Sequence, residues 1–489
     1  MRKKAIALII TFLVFCTALP FQGYVYASDM QSDDYLHVNG NQIVDDNGNK
    51  VHLTGIAWFG LETPNYTYHG IWANSLENML DIVADNGFNL LRVPLSVELV
   101  NQWRKGTPPQ PESIDYVNNP NLKGKNSLEV FDASVAYCKK NGLKMMLDMH
   151  RISSGGQTPT WSTDKYSTED FEACWQWLAE RYKNDDTVIA MDLFNEPHGK
   201  AYWGEGAKWD GSTDANNWKY EAEKVGKQIM NINPKLLIVV EGIECYPKEG
   251  YTYTSTAPEN YYGYWWGGNL RGVADFPVKL GSQVIYSPHD YGPSVSAQPW
   301  FEGTFDEQTL TRDAWEPNWF YIHEKNLAPI LIGEWGGQMD GGKNEKWMRA
   351  LASLISKNNL NHTFWCLNAN SGDTGGILQY DFKTIDTAKL ALVQPTLWKD
   401  SNGKYIGLDH QVNLGKTGTH VGGGTVEVLM GDVNGDKTFD ALDLASIKAY
   451  LLNPSTVISL KAADYNEDGG VNALDYAAIK IALLHPPIH

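Results

Sequence analysis

Short apolar runs alternate with helical patterns over most of the chain. Eight of the runs read as strands: Leu53–Trp58, Asn89–Val93, Lys144–Asp148, Ile189–Leu193, Leu236–Val240, Val284–Tyr286, Ile330–Ile332 and Thr363–Leu367. Between several of them the apolar positions take helical spacing, as in Ser75–Asn86, Leu128–Asn141, Thr168–Lys183 and Glu345–Asn358. Gly87 and Gly142 follow two of these segments and can supply a left-handed cap. Continuous apolar strands separated by helices predict a parallel sheet covered on both faces. Eight such units predict an α/β fold of the closed (β/α)8 barrel type. From periodicity alone, a doubly wound open sheet fits the same alternation.

The pattern changes near residue 412. Gly415, Gly418 and Gly422-Gly423-Gly424, mixed with threonine, predict a flexible linker over 412–428. Beyond it lies a tandem repeat. Asp432, Asn434, Asp436, Asp440 and Asp443 recur in register 32 residues later, from Asp464, as Asp464, Asn466, Asp468, Asn472 and Asp475. Oxygen side chains at positions 1, 3, 5, 9 and 12 of a short loop suit a hard cation such as Ca2+, with the carbonyls of Thr438 and Gly470 at position 7. Two ions are expected, in a structural role. Position 12 is aspartate rather than glutamate, and position 6 is Gly469 in the second loop but Lys437 in the first. Each loop leads into a helix with apolar residues, at Leu444, Ile447 and Leu451 and at Tyr476, Ile479 and Leu483. The chain therefore divides into four expected parts: a leader over 1–27, the barrel over 28–411, the linker, and a small all-α module over 429–489.

The leader is read from Arg2-Lys3-Lys4, the apolar run Ala5–Leu19 and a small-residue cleavage site at Val25-Tyr26-Ala27, which implies secretion. A membrane anchor is the alternative, but the run is short and Pro20 closes it. A formal net charge of −18 excludes nucleic acid and anionic membrane as natural partners. The 18 Trp and 25 Tyr fit a large aromatic core and equally a cleft in which flat rings stack on sugars. Cys138, Cys174, Cys245 and Cys366 are scattered and make no disulfide scaffold.

In a barrel of this type the chemistry sits where the strands end. Those ends carry Arg92, then Asp148 and His150, then Asn195-Glu196-Pro197, then His289 and Tyr291, then Glu334-Trp335, and finally Trp365. Together with Leu53–Gly60, His69-Gly70-Ile71-Trp72, Leu91–Pro94, Leu147–Arg151, Phe194–His198, Trp265–Leu270, His289–Tyr291, Ile332–Gly336 and Asn370–Gly376, this set resembles glycoside hydrolase family 5 over about residues 35 to 400. It looks closest to the bacterial endoglucanases of that family.

The resemblance implies hydrolysis of β-1,4-glucan with retention and without a catalytic cofactor. It makes Glu334 the nucleophile and Glu196 the general acid and then base. Two carboxyls about 5–5.5 Å apart leave no room for an attacking water, so one of them must attack the sugar. Arg92 and Tyr291 are the expected neighbours of Glu334. Glu196 is expected to keep its proton because Glu334 is charged. Asn195 is expected on the sugar 2-hydroxyl, His150 and His289 as orienting groups, and Trp365 beneath the sugar. His69, Trp58, Trp265 and Trp266 are further substrate-binding candidates. A mannanase or xyloglucanase of the same family shares the fold and both glutamates. A catalytically silent carbohydrate-binding barrel is the reading from another class. The calcium repeat resembles a type I dockerin, which implies a cohesin partner on a cellulosome scaffold, with specificity at Ala441-Leu442 and Ala473-Leu474.

Overall fold

The eight apolar runs form one ring of parallel strands: β1 Thr54–Ala57, β2 Leu90–Ser96, β3 Lys144–Arg151, β4 Val188–Asp192, β5 Leu237–Glu241, β6 Val284–Ser287, β7 Leu331–Trp335 and β8 Asn361–Phe364. This computed structural model describes residues 34–422, 430–434, 438–453, 456, 458–466 and 470–484. The expected leader, residues 423–428 of the expected linker, and Asp436, Lys437, Asp468 and Gly469 lie outside the described residues. Among the described residues no helix is long and apolar enough to cross a membrane.

Neighbouring strands pair in parallel from β6 through β5, β4, β3, β2 and β1 to β8 and β7. Tyr286 N donates to Pro329 O at 3.1 Å and Gly333 N to Pro288 O at 3.0 Å, which closes β6 onto β7 and settles the barrel over the open sheet. Helices Leu76–Asp85, Ser127–Lys140, Thr168–Arg181, Trp218–Ile232, Lys343–Asn358 and Thr387–Val393 cover the outside. Ser75, Asn126 and Ser167 cap the first three through their side chains. Gly87 and Gly142 take positive φ, as expected, while Phe88 N and Leu143 N bond back to Val83 O and Cys138 O. The connection after β5 has no α-helix. It is a short hairpin, Cys245–Pro247 with Tyr261–Gly263, followed by the loop that carries Trp265 and Trp266.

The barrel interior changes character along its axis. Leu90, Met146, Ala190, Leu237, Val239, Ile285 and Leu331 make one apolar layer at the lower end. Two residues further along the same faces come Arg92, Asp148, Asp192, Glu241 and Ser287. The lower end is plugged by an antiparallel sheet of Leu36–Asn39, Gln42–Asp45 and Lys50–Val51, whose Leu36, Ile43 and Val51 join the apolar layer. Lys144 is buried there, with its ammonium 2.5 Å from Asp34, 3.0 Å from Asp409 and 3.6 Å from Asp186. His410 bridges Asp34 at 2.5 Å and Asp45 at 3.0 Å.

The linker expectation is corrected over 412–421. Leu414 and Val421 are buried, Gly415 N donates to Asn141 O at 3.0 Å, and Thr419 N donates to Tyr405 O at 2.8 Å. These glycines belong to a strap on the barrel wall. Gly415 suits this place because its φ is 54° and a Cβ there would lie 3.0 Å from the backbone of Ala84 and Asp85. All four described cysteines are buried free thiols.

In the C-terminal module, helices Ala441–Leu452 and Ala473–Leu484 enclose Val433, Ile447, Ile458, Ala463 and Ile479, while Phe439 stacks on Tyr465. Leu444, Tyr476 and Leu483 pack against this core as expected. Leu451 does not. It turns to solvent beside Leu452 at the end of its helix.

Candidate active site

Arg92 sits at the centre of the upper layer, fully buried. Its Nη1 donates to Glu334 Oε1 at 2.6 Å, its Nε to Asp192 at 3.0 Å, and its Nη2 to Asn195 Oδ1 at 2.9 Å and Glu241 Oε1 at 3.2 Å. Asp148 lies 3.2 Å from the same nitrogen. One guanidinium thus faces four carboxylates. Burial opposes its charge, but those carboxylates hold its pKa well above the usual arginine value. Asp148 and Asp192 remain crowded and buried, and are pushed up to about 7 and about 6.

Glu334 enters from the end of β7. Its second oxygen accepts from the Tyr291 hydroxyl at 2.6 Å. Glu196 follows β4 with φ of 53°, in the left-handed region, and its backbone N donates to Glu241 Oε2 at 2.7 Å. Its carboxylate meets His289 Nδ1 at 3.1 Å and accepts from Gln157 at 3.1 Å. Oxygens of Glu196 and Glu334, with a nitrogen of His289, lie within 4.8 Å of one another. The two glutamates are 138 residues apart in sequence and share one small volume.

The electrostatics of Glu196 differ from expectation. Burial would raise its pKa, but the hydrogen bond and charge of His289 more than offset it, so the carboxyl lies below the ordinary glutamate value. The nearby charge expected to govern it was Glu334. The structure adds a cation between them. Burial also works against a charged His289, yet Glu241 and Glu334 overcome it and lift the ring well above the usual histidine pKa. Its Nε2 lies 3.1 Å from Glu241. His150 is the opposite case. Its Nδ1 pairs with Asp148 at 2.7 Å, and burial drives its pKa down to about 3, so it is neutral.

Asn195 has its Oδ1 taken by Arg92, while its buried Nδ2 has no partner. An orphaned donor of that kind is costly unless a ligand oxygen meets it. Trp365 is half-buried, stacked on His150 at 5.3 Å and on Phe59 at 5.6 Å, with Nε1 donating to Ser371 at 3.2 Å. His69 lines a cleft of about 630 Å³ with Asn65, Trp72, Asp115 and Asn370. Burial lowers its pKa to about 4.

Trp58 is a correction. It has no exposed surface, packs on Tyr68 and donates to His69 O at 2.8 Å, so it is a core residue that fixes His69. Trp265 is nearly buried, edge-on to Tyr291 at 6.2 Å. Trp266 is open to solvent and stacks on His198 at 3.8 Å.

Asp192 and Glu241 were missed. The signal was present: each ends an apolar strand in the same way as Asp148. Gly267 explains how Glu241 reaches the site, since a Cβ there would fall 2.3 Å from its carboxylate and 3.1 Å from Glu196 Cα. Asp290 is a further buried carboxylate, pushed by burial up to about 7 and caged by Tyr264, Trp315 and Trp347, which donate at 2.5, 2.9 and 2.8 Å.

The C-terminal loops close in the same way twice. Buried Asp443 accepts from Asn434 N at 3.0 Å and Asp440 N at 2.8 Å, and buried Asp475 accepts from Asn466 N at 3.1 Å and Asn472 N at 2.9 Å. A buried carboxylate at the end of an all-oxygen loop fits a hard cation.

The sequence matches the profile of cellulase (glycosyl hydrolase family 5) over residues 44–371 and that of the dockerin type I domain over 430–484. It is 45% identical to endoglucanase G of Acetivibrio thermocellus, across 89% of this chain and 88% of that protein. It is 44% identical to an endoglucanase of Paenibacillus polymyxa, across 73% and 85%. The structure is similar to that of an endocellulase from Pyrococcus horikoshii, with a TM-score of 0.68 and 34% identity over 75% of this chain and all of that one. The same endocellulase has been solved with cellotetraose in variants that replace a glutamate or a tyrosine. The chain is a glycoside hydrolase: its barrel belongs to glycosyl hydrolase family 5, and a type I dockerin domain follows it.

Proposed function

We propose that this chain is a secreted endo-β-1,4-glucanase that cuts cellulose-type glucan by double displacement and is attached to a cellulosome scaffold. The observation that carries the mechanism is the spacing of the two glutamates, with carboxylate oxygens within 4.8 Å. That supports the short separation of retaining enzymes over the wider one, about 6.5–9.5 Å, that lets a water attack in inverting enzymes.

Glu334 attacks the anomeric carbon while Arg92 and Tyr291 hold both of its oxygens in line. Glu196 protonates the leaving oxygen. In the free site His289 holds a proton 3.1 Å from Glu196. A bound sugar that excludes water favours passing that proton to the carboxylate, because two neutral groups then replace a buried ion pair. Once Glu334 is an ester its charge is gone, and Glu196 takes a proton from the incoming water. Asn195 Nδ2 meets the 2-hydroxyl, a contact that strengthens in the oxocarbenium-like transition state. His150 presents Nε2 to the sugar, and Trp365 stacks beneath it.

The test is the configuration of the first product by proton NMR. A β-anomer formed first is expected. An α-anomer formed first sinks the double displacement. Hydrolysis of carboxymethylcellulose beside glucomannan, xyloglucan and xylan decides the substrate, and exclusive attack on mannan overturns it.

Two Ca2+ ions would be held by the dockerin, one by Asp432, Asn434, Asp436, Thr438 O, Asp440 and Asp443, the other by Asp464, Asn466, Asp468, Gly470 O, Asn472 and Asp475. Each ion would offset part of its loop's negative charge and fix the helix that follows. Ala441, Leu442, Ala473 and Leu474 are exposed on the two helices, as a cohesin-binding face requires. Chelator is expected to abolish cohesin binding and remove helical signal, leaving hydrolysis of soluble glucan intact.

A further inference from the structure

The chain that follows Glu196 makes a closed loop whose tip carries an indole in water. Trp203 is 71% exposed. Among the described residues it is the most exposed tryptophan, and it matters here because its loop grows out of the active-site rim. The loop is firmly built. Its neck is formed by Gly199 and Gly206, where a Cβ on either would fall within 2.6 Å of the other residue's Cα. Ala207 N donates to His198 O at 2.8 Å, and Gly199 N donates to Glu244 at 2.9 Å. Lys200 pairs with the same glutamate. Trp203 N and Gly204 N close the tip onto Lys200 O and Ala201 O, both at 2.9 Å. Tyr202 sits edge-on to Trp203 and packs on Tyr261 of the hairpin after β5.

This loop is continuous with the active site. His198 bonds Glu196 O through Nδ1 at 2.6 Å, and its ring carries the 41% exposed Trp266 in a parallel stack. On the mechanism proposed above, Glu196 protonates the leaving oxygen, so the rim next to Glu196 borders the departing part of the glucan. Trp365 and His69 pack around Phe59 instead, and neither touches this rim. Trp266 and then Trp203 are therefore rings offered along the departing chain. Lys200 and His198 beside them are paired with Glu244 and with Glu196 O, which leaves the ring faces to a neutral ligand with flat apolar faces.

We propose that Trp203 is a distal binding platform for the leaving-group side of a long β-glucan chain, reached only by polymers and insoluble surfaces. The inference rests on the assignment of Glu196 as the acid.

The test compares full-length wild type with Trp203→Ala and Trp203→Phe, with calcium present. Adsorption to amorphous cellulose is measured first, then kinetics on a soluble β-glucan polymer and on nitrophenyl cellobioside. Loss of the stack is expected to weaken adsorption and raise KM on the polymer about tenfold in Trp203→Ala. Cleavage of the short glycoside is expected to stay unchanged, and Trp203→Phe to recover most of the polymer effect. Unchanged adsorption and KM for Trp203→Ala overturn the proposal. So does an equal loss on both substrates, which marks a structural role, or a change in sedimentation without a change in adsorption, which marks a contact between copies. Wild type that adsorbs through Trp203 but hydrolyses no glucan refutes the catalytic reading and leaves the platform standing.

Discussion

Two buried cations hold the two ends of the barrel, and they do different work. At the upper end Arg92 faces Asp148, Asp192, Glu241 and Glu334, and only Glu334 and its neighbour Glu196 reach the cleft. At the lower end Lys144 faces Asp34, Asp186 and Asp409, and every one of them is sealed. Burial, with the crowding of acids behind it, lifts the pKa values of Asp148 and Asp192, while the charges of Glu241 and Glu334 keep a proton on His289 against its burial. The lower cluster ties β3 to chain segments far away in sequence. A planar guanidinium suits the first task because it orients several oxygens at once, and a compact ammonium suffices for the second.

The division can be broken by substitution. Glu334→Ala is expected to cost turnover on the order of 10^4-fold on soluble glucan. Its melting temperature is expected not to fall, since Arg92 keeps three other carboxylates. Arg92→Met is expected to cost about 5 kcal/mol by chemical denaturation, because four buried acids lose their cation. Lys144→Met is expected to cost about 3 kcal/mol, with His410 still serving Asp34, and to leave kcat unchanged on the folded enzyme. A fall in kcat for Lys144→Met as deep as that for Glu334→Ala would erase the distinction between the two ends.

A smaller effect sharpens it. Hydrogen bonds to Asp34 and Asp45, acting against burial, raise the His410 pKa to about 10. A raised folded-state pKa stabilises fully below the unfolded value near 6.5 and is lost as pH rises through about 10. The melting difference between wild type and His410→Gln is thus expected to be widest at pH 6 and to close by pH 10.5. A difference that grows toward alkaline pH would show that the bridge is not made by a protonated ring.

Much of this was legible in the chain. The barrel strands stand within a few residues of the apolar runs, because a strand buried on both faces must be apolar throughout. Arg92, Glu196, His289, Tyr291 and Glu334 stood out by ending such runs, and the structure brings them together. Asp192 and Glu241 ended runs too, but nothing local distinguishes an acid that supports another side chain from one that meets substrate. Trp58 misled for the complementary reason: an aromatic beside a catalytic strand looks alike whether it faces sugar or core. The strap over 412–421 was hidden because glycine and threonine serve tight packing as readily as freedom. The pKa of Glu196 depends on His289, brought in from a different strand, and no pairwise reading of the two glutamates contains it.

The lower cluster sets where this enzyme can be cut. The recognisable family segment spans residues 44–371, but Asp34, Asp409 and His410 lie beyond both of its borders. A truncation at those borders would strip Lys144 of its two nearest counter-ions and open the apolar floor beneath the strands to water. Such a fragment would retain every group proposed to touch sugar and still be expected to precipitate on expression, whereas one running from 34 to 421 keeps its floor closed.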